Sequence, residues 1–97
     1  MSVFIIKNKK YDTDKMEFIA EVKKWYINEF LSRVTGEKLG HDYNCKLYRS
    51  KKQNFLLTHE ESPMIIGEAI TEYEAKSLLQ KFNYKKYEEL FGEIEEA

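Results

Sequence analysis

The segment that most constrains the fold of this chain spans residues 45–58 and reads CKLYRSKKQNFLLT. In an extended strand, positions 45, 47 and 49 share one face and positions 46, 48 and 50 share the other. Polar residues typical of a turn fill 50–54, and the apolar run Phe55, Leu56 and Leu57 follows them. We therefore predict a β-hairpin at the centre of a small sheet.

Two further segments predict strands. The run Val3–Ile6 is apolar, and the polar connector after it, with Asn8 as turn residue, leads into a short return strand ending at Asp12. After Ser62 and Pro63, residues 64–70 predict another strand, which we expect Gly67 to interrupt with a bulge.

Residues 14–34 carry the most extended helical pattern in the chain. Apolar residues recur there at intervals of three and four, at Met16, Ile19, Val22, Tyr26, Ile27, Phe30, Leu31 and Val34. This spacing is typical of an amphipathic helix, and Gly36 is suitably placed to end it in a left-handed conformation. We predict one long helix that covers the sheet, followed by a loop over 36–44.

Two short helices are predicted at the C-terminal end. Thr71 and Glu74 have the spacing of a capping box, and Asn83 is a suitable cap for a second helix that ends at Gly92. The predicted fold is α+β, with a mainly antiparallel sheet of three to five strands, the long helix over it, and these two helices at an edge or end. Ninety-seven residues suit one domain, 1–97, whose acidic tail 93–97 we expect to fray.

The composition of the chain indicates its cellular compartment. No apolar run approaches the roughly 18 residues of a membrane span, and the first residues lack the pattern of a signal peptide. Cys45 stands alone and cannot form an internal disulfide, which agrees with a reducing compartment. We expect a cytoplasmic protein with no membrane contact.

The sequence offers few candidates for catalysis. His41, His59 and Cys45 are the only obvious ionisable candidates, and they have no paired-ligand spacing of the Cys-x-x-Cys or His-x-x-x-His kind. No Ser-His-Asp motif and no glycine-rich phosphate loop is recognisable. We therefore expect no catalytic residues, no metal and no cofactor, and predict that the protein is not an enzyme.

Charge is divided along the chain. Residues 1–58 hold twelve Lys or Arg against seven Asp or Glu, a balance of +5, whereas residues 59–97 hold four against ten, a balance of −6. A basic surface attracts phosphate, and an acidic one can dock on a basic protein surface. The basic candidates for partner binding are Lys7, Lys9, Lys10, Arg49, Lys51 and Lys52. The acidic candidates are Glu60, Glu61, Glu72, Glu88, Glu89, Glu93, Glu95 and Glu96.

Two aromatic residues are further contact candidates. Trp25 and Phe18 both lie off the centre of the predicted helical stripe, so one of them is expected to be exposed, and an exposed Trp is a common contact residue. Tyr48 lies on the outer face of the predicted hairpin.

Six short motifs carry a resemblance to a known group of proteins. They are KYDT at 10–13, LYR at 47–49, FLL at 55–57, GEAI at 67–70, EAK at 74–76 and YEELFG at 87–92. In this set the chain resembles small proteins carried by phages and mobile elements of Gram-positive bacteria, some of which are associated with inhibition of CRISPR systems. It departs from them at the hairpin turn, where Lys52, Gln53 and Asn54 replace the usual glycine.

The resemblance implies a stoichiometric inhibitor that blocks an effector nuclease or its nucleic-acid channel without chemistry of its own. Its partner would be a CRISPR effector or the guide-RNA complex, bound either by the acidic residues acting as phosphate mimics or by the basic residues touching RNA or DNA. The alternatives are a small nucleic-acid-binding regulator and a dimeric accessory protein of a mobile element. The sequence leaves open whether the chain is a monomer or a homodimer.

Overall fold

The computed structural model describes residues 2–27, 29–61 and 63–97, and for residues 29–31 it describes only the backbone. The order of elements is β1 (Val3–Ile6), β2 (Lys9–Asp12), a 3-10 turn (Thr13–Lys15), β3 (Glu17–Ile27), α1 (Glu29–Thr35), β4 (Gly40–Arg49), β5 (Phe55–Glu61), β6 (Met64–Ile70), α2 (Glu72–Phe82) and α3 (Tyr84–Phe91). The predicted α+β class is therefore correct.

The strands form two antiparallel sheets. β1 and β2 make a separate two-stranded hairpin, and β3, β4, β5 and β6 make a four-stranded sheet in sequence order. The predicted central hairpin is confirmed, since Leu47 lies opposite Leu57 and Arg49 opposite Phe55. The first hairpin is confirmed as well, with Lys7 and Asn8 both at positive φ as a two-residue hairpin turn requires.

The long helix predicted over 14–34 is wrong. Most of that segment is the eleven-residue strand β3, which pairs with β4 along its length, and the α-helix of the segment is the short Glu29–Thr35. In β3 the side chains alternate, so that Ala20, Val22 and Tyr26 point to the core side. The predicted loop over 36–44 is shortened for the same reason, because β4 begins at Gly40, opposite Ile27.

The helices that cover the sheet are the two at the C-terminal end. Ala75 and Leu79 of α2 are fully buried in one cluster with Val22, Leu47 and Leu57. Leu78, Tyr87, Leu90 and Phe91 pack against that cluster, while Tyr84 stays half exposed. These helices therefore cover a face of the sheet, and the prediction that they pack at an edge or end is wrong.

The predicted helix caps are confirmed. The Oγ1 atom of Thr71 accepts a hydrogen bond from the backbone NH of Glu74 at 3.1 Å, and Oδ1 of Asn83 accepts one from Lys86 at 3.2 Å. The Glu74 carboxylate, however, accepts a hydrogen bond from Lys24 Nζ at 2.6 Å, where the capping box predicted a contact with the Thr71 NH group. Glu74, in the first turn of α2, thus links the helix to β3.

The β1–β2 hairpin lies on the opposite face of the sheet, so that the domain has three layers. Phe4 packs directly on Gly67 of β6, where an added Cβ would come within 2.6 Å of the Phe4 ring. The β5–β6 register runs without a shift through Gly67, so the predicted bulge there is wrong. This glycine gives the hairpin room to approach. Ser62, the residue expected to break the chain, lies outside the described residues.

Candidate functional site

A broad open groove of about 1420 Å³ lies at one end of the domain, between the turn regions of the two hairpins. We call it the basic groove. It is lined by Asn8, Lys9, Lys10, Tyr11, Asp12, Asp14, Lys15, Met16, Glu17, Arg49, Ser50, Lys51, Lys52, Gln53 and Asn54. Six of these residues are Lys or Arg and three are Asp or Glu, so the lining is net positive.

Local hydrogen bonds fix the turn between β4 and β5 that forms one wall of the groove. The backbone NH of Ser50 donates to Asn54 O at 2.8 Å, and the Asn54 NH donates to Ser50 Oγ at 3.1 Å. Gln53 has φ +67°, a left-handed conformation that glycine adopts with less strain. This closed turn holds Lys51 and Lys52 at its tip.

The second wall comes from the β1–β2 hairpin and the 3-10 turn after it. Asp12 caps that turn by accepting a hydrogen bond from the Asp14 NH at 3.1 Å. Thr13 accepts at Oγ1 from the backbone NH of Ser2 at 3.2 Å and so fastens the two ends of the hairpin together. Lys9, Lys10 and Lys15 are exposed along this wall.

The positive charge of the groove comes mainly from lysines that have no ion-pair partner among the described residues. Arg49 is neutralised by Glu17, since Nη2 lies 2.8 Å from Oε1. Among the described residues, the structure shows no ion pair for the groove's five lysines, Lys9, Lys10, Lys15, Lys51 and Lys52. Free ammonium groups on flexible stems are suited to contacting phosphate as point charges.

The structure thus brings together five of the six basic residues expected from sequence. Lys9, Lys10, Arg49, Lys51 and Lys52 all line the groove, although β2 and the β4–β5 turn are about forty residues apart in the chain. Lys7 lies in the β1–β2 turn outside the lining. Lys15 also lines the groove and is not among the basic candidates predicted from sequence, because the helical pattern over 14–34 includes it in the long helix.

The acidic candidates are spread over separate parts of the molecule. Glu60 and Glu61 lie at the end of β5 and, being adjacent in a strand, on opposite faces of the sheet. The others lie on α2 (Glu72), on α3 (Glu88, Glu89) and in the tail (Glu93, Glu95, Glu96). Several make contacts within the chain: Glu61 with His59, Glu72 with Lys76, Glu89 with Lys86, and Glu88 with the backbone NH of Ile94.

The two aromatic candidates are separated along the sheet. Tyr48 lies near the groove and makes an edge-to-face contact with Phe18, their ring centroids 5.7 Å apart. Trp25 is 50% exposed and lies near the other end of β3, against Gly40. Phe18 is also exposed, at 49%, so both residues that lay off the helical stripe reach solvent.

A cluster of ionisable groups on the helix-covered face was not found by sequence reasoning. Lys24 Nζ donates to Glu68 Oε1 at 2.8 Å and to Glu74 Oε2 at 2.6 Å, and Tyr26 Oη donates to Glu68 Oε1 at 2.7 Å. These bonds connect β3 with both β6 and α2. The only sequence signal for the cluster is the two-residue alternation of β3, which a helical interpretation hides.

The pKa values in this cluster follow from burial and from these bonds. For Glu68, burial alone would raise the pKa, but the bonds from Lys24 and Tyr26 outweigh it and hold the pKa below its usual range. For Lys24, burial opposes the charge, yet the two carboxylates raise the pKa. Burial and the bond to Glu68 raise the pKa of Tyr26, so the phenol stays protonated at neutral pH.

The three residues considered for catalysis lie on this same face. His41 and His59 flank Tyr43, with ring centroids 3.9 and 4.7 Å from it, and His59 Nε2 lies 2.7 Å from Glu61 Oε2. Cys45 is buried, and burial raises the pKa of its thiol, which disfavours the reactive thiolate.

The described residues show neither a metal-binding cluster nor a membrane-spanning helix. They contain no group of three or more His, Cys, Asp or Glu side chains arranged to hold a metal ion. None of the helices in the described ranges is both long enough and apolar enough to cross a membrane.

Comparison of this chain with protein-family models, with curated proteins and with solved structures finds no match.

Proposed function

We propose that this protein is a stoichiometric binding protein that holds the phosphate backbone of a nucleic acid in the basic groove. The observation that carries the proposal is the convergence of five lysines on one open groove. Four of them come from two separate hairpins and Lys15 comes from the 3-10 turn, and among the described residues none of the five has an ion-pair partner. Each phosphate that such a groove binds releases condensed counterions, so the binding energy is largely electrostatic.

The distribution of charge favours this mode over phosphate mimicry. An acidic mimic needs its carboxylates on one surface, whereas here they lie on both faces of the sheet, on two helices and in the tail, and several are paired within the chain. The basic residues of the groove are brought together, and among the described residues Arg49 is the one that has an ion-pair partner.

The resemblance to small phage and mobile-element proteins supports a biological role for this binding. In that role the protein acts in the cytoplasm of a bacterial host as an inhibitor of a CRISPR effector. The groove contacts the guide RNA or the target DNA, and the bound protein then blocks the nucleic-acid channel.

The first test measures binding directly. Lys51→Gln with Lys52→Gln removes two charges from the tip of the β4–β5 turn, and Lys81→Gln with Lys85→Gln removes two exposed charges from the C-terminal helices. We expect the first pair to weaken binding to labelled oligonucleotides and to make the plot of log K against log salt shallower by about 1.4 to 1.8, since each phosphate contact contributes about 0.7 to 0.9. Equal slopes for the two pairs would overturn the groove assignment.

The second test addresses the inhibitor role. Bacteria carrying one of several CRISPR effectors are challenged with a targeted plasmid, and each effector is also pulled down with and without guide RNA. We expect plasmid survival with the wild-type protein and its loss with the Lys51 and Lys52 variant. Full interference and no retained effector across the panel would refute CRISPR inhibition, while the binding measurement would still decide the nucleic-acid role.

A further inference from the structure

On the side of the sheet that carries the β1–β2 hairpin, strands β3 and β4 are covered only in part, since Ser2 and Thr13 border a cleft of about 440 Å³ together with Lys46 and Tyr48. The β1–β2 hairpin sits on β6 through the contact of Phe4 with Gly67, and the outward side chains of β3 and β4 on that side of the sheet are nearly all exposed. We call this surface the sheet platform. It consists of Phe18, Glu21, Lys23, Trp25 and Ile27 on β3, and of Asp42, Asn44, Lys46 and Tyr48 on β4.

Aromatic side chains stand at both ends of the sheet platform. Phe18 and Tyr48 are opposite each other in the register, with ring planes inclined at 70°. Trp25 lies seven positions further along β3, but a register shift between Phe18 and Ala20 means that the partner strand advances by only six residues. At about 3.3 Å per residue, the two ends are about 20 Å apart, the length of about six stacked nucleotides.

The sheet platform begins where the basic groove ends. Glu17 and Arg49 line the groove and are paired in the register, and the next pair along the two strands is Phe18 with Tyr48. A strand whose phosphates lie against Lys51 and Lys52 can therefore place its next bases over the Phe18 ring. Tyr11, the aromatic residue among those that line the groove, is 7% exposed and has little ring surface to offer.

Charge and aromatic surface are divided between the two regions. On the sheet platform Lys23 and Lys46 are balanced by Glu21 and Asp42, so it adds no net charge. The groove supplies the attraction to phosphate, and the platform supplies aromatic rings at its two ends, which is the combination found where single strands are bound without sequence readout. In a duplex the base faces are already stacked and cannot reach such rings.

We propose that the sheet platform stacks the bases of a single-stranded nucleic acid whose phosphates are held in the basic groove. This inference rests on the proposed function and narrows it to single strands, with Phe18 as the stacking residue nearest the groove and Trp25 as the one at the far end.

The test compares a labelled twelve-nucleotide oligothymidine with a mixed-sequence duplex of the same length, by fluorescence anisotropy over a range of salt. We expect tighter binding to the single strand. Phe18→Ala should weaken that binding at least about fivefold with the salt slope unchanged, because stacking releases no counterions. Tyr73→Ala removes an 81% exposed aromatic on α2 and serves as the matched control. Phe18→Tyr should restore binding.

The fluorescence of Trp25, the single tryptophan, gives a second readout. We expect it to be quenched by the oligothymidine and unaffected by the duplex. Equal affinity for both nucleic acids, with Phe18→Ala behaving like Tyr73→Ala, would overturn the stacking inference and leave the groove proposal standing if the Lys51 and Lys52 variant still loses binding. Failure to bind either nucleic acid at low salt would overturn the proposed function itself.

Discussion

The contact of Phe4 with Gly67 makes the attachment of the β1–β2 hairpin testable. Replacing Gly67 by alanine would place a methyl group 2.6, 2.7 and 2.9 Å from the Cδ1, Cγ and Cε1 atoms of the Phe4 ring. Real Cβ atoms do not approach other atoms so closely, so either the Phe4 ring or the backbone on one side of the contact must shift. Overpacking of this kind costs about 1 to 3 kcal/mol.

A second effect acts in the opposite direction. Alanine restricts the unfolded chain more than glycine does, which stabilises the folded state by about 0.4 to 1 kcal/mol where the backbone conformation permits it. Gly67 lies in a regular part of the β5–β6 ladder and its φ is not positive, so the alanine backbone is permitted. We therefore expect Gly67→Ala to destabilise the domain by about 1 kcal/mol net, which lowers Tm by about 4 to 8 °C.

The assay is a double-mutant cycle followed by circular dichroism in thermal and urea unfolding. Phe4→Ala creates room for the new methyl group, so Gly67→Ala in that background should be neutral or slightly stabilising. The difference between the two backgrounds isolates the clash. An unchanged Tm for Gly67→Ala, or the same loss of stability with and without the Phe4 ring, would show that this contact does not hold the hairpin.

Thr71→Ala removes the oxygen that accepts from the Glu74 NH, so we expect a loss of about 1 kcal/mol in urea unfolding, and Thr71→Ser should retain most of the stability. A loss of the same size for both variants would contradict the capping role. Glu68→Gln tests the ion cluster through the pH dependence of stability. The pKa of Glu68 in the folded protein lies below its ordinary value of 4.5, so its ionised form stabilises the fold above pH 4.5. This stabilisation is lost as the pH falls through the folded pKa. We expect the stability difference between wild type and Glu68→Gln, measured by urea unfolding from pH 7 to pH 3, to narrow toward low pH, and a constant difference would refute the role of the Glu68 charge.

Local signals predicted several parts of this fold well. The central hairpin, the caps Thr71 and Asn83, and the turn at Asn8 each depend on residues only a few positions apart, and the structure has all of them. The basic residues of the candidate site were also recognisable as a set by their charge. Their assembly into one groove was not, because it depends on how the β1–β2 hairpin packs on the sheet.

The role of Gly67 shows the same limit. Within its own strand it suggests a bulge, and the regular register of β5 with β6 shows none. Its actual neighbour is Phe4, sixty-three positions earlier in the chain. A glycine needed for close approach of another layer is indistinguishable, in a short window, from one needed for backbone geometry.

The sequence by itself determined the elements whose stabilising contacts are local: the hairpin turns, the helix caps and the apolar faces of the two C-terminal helices. Tertiary structure decided the state of residues 17–27, whose apolar positions fit both a helical and an alternating pattern. The alternating pattern places Lys24 on the helix-covered face, which looks unfavourable in isolation because a charged group is costly to remove from water. Glu68 and Glu74, 44 and 50 residues away, supply the compensating carboxylates, so only the folded chain shows why this segment is a strand.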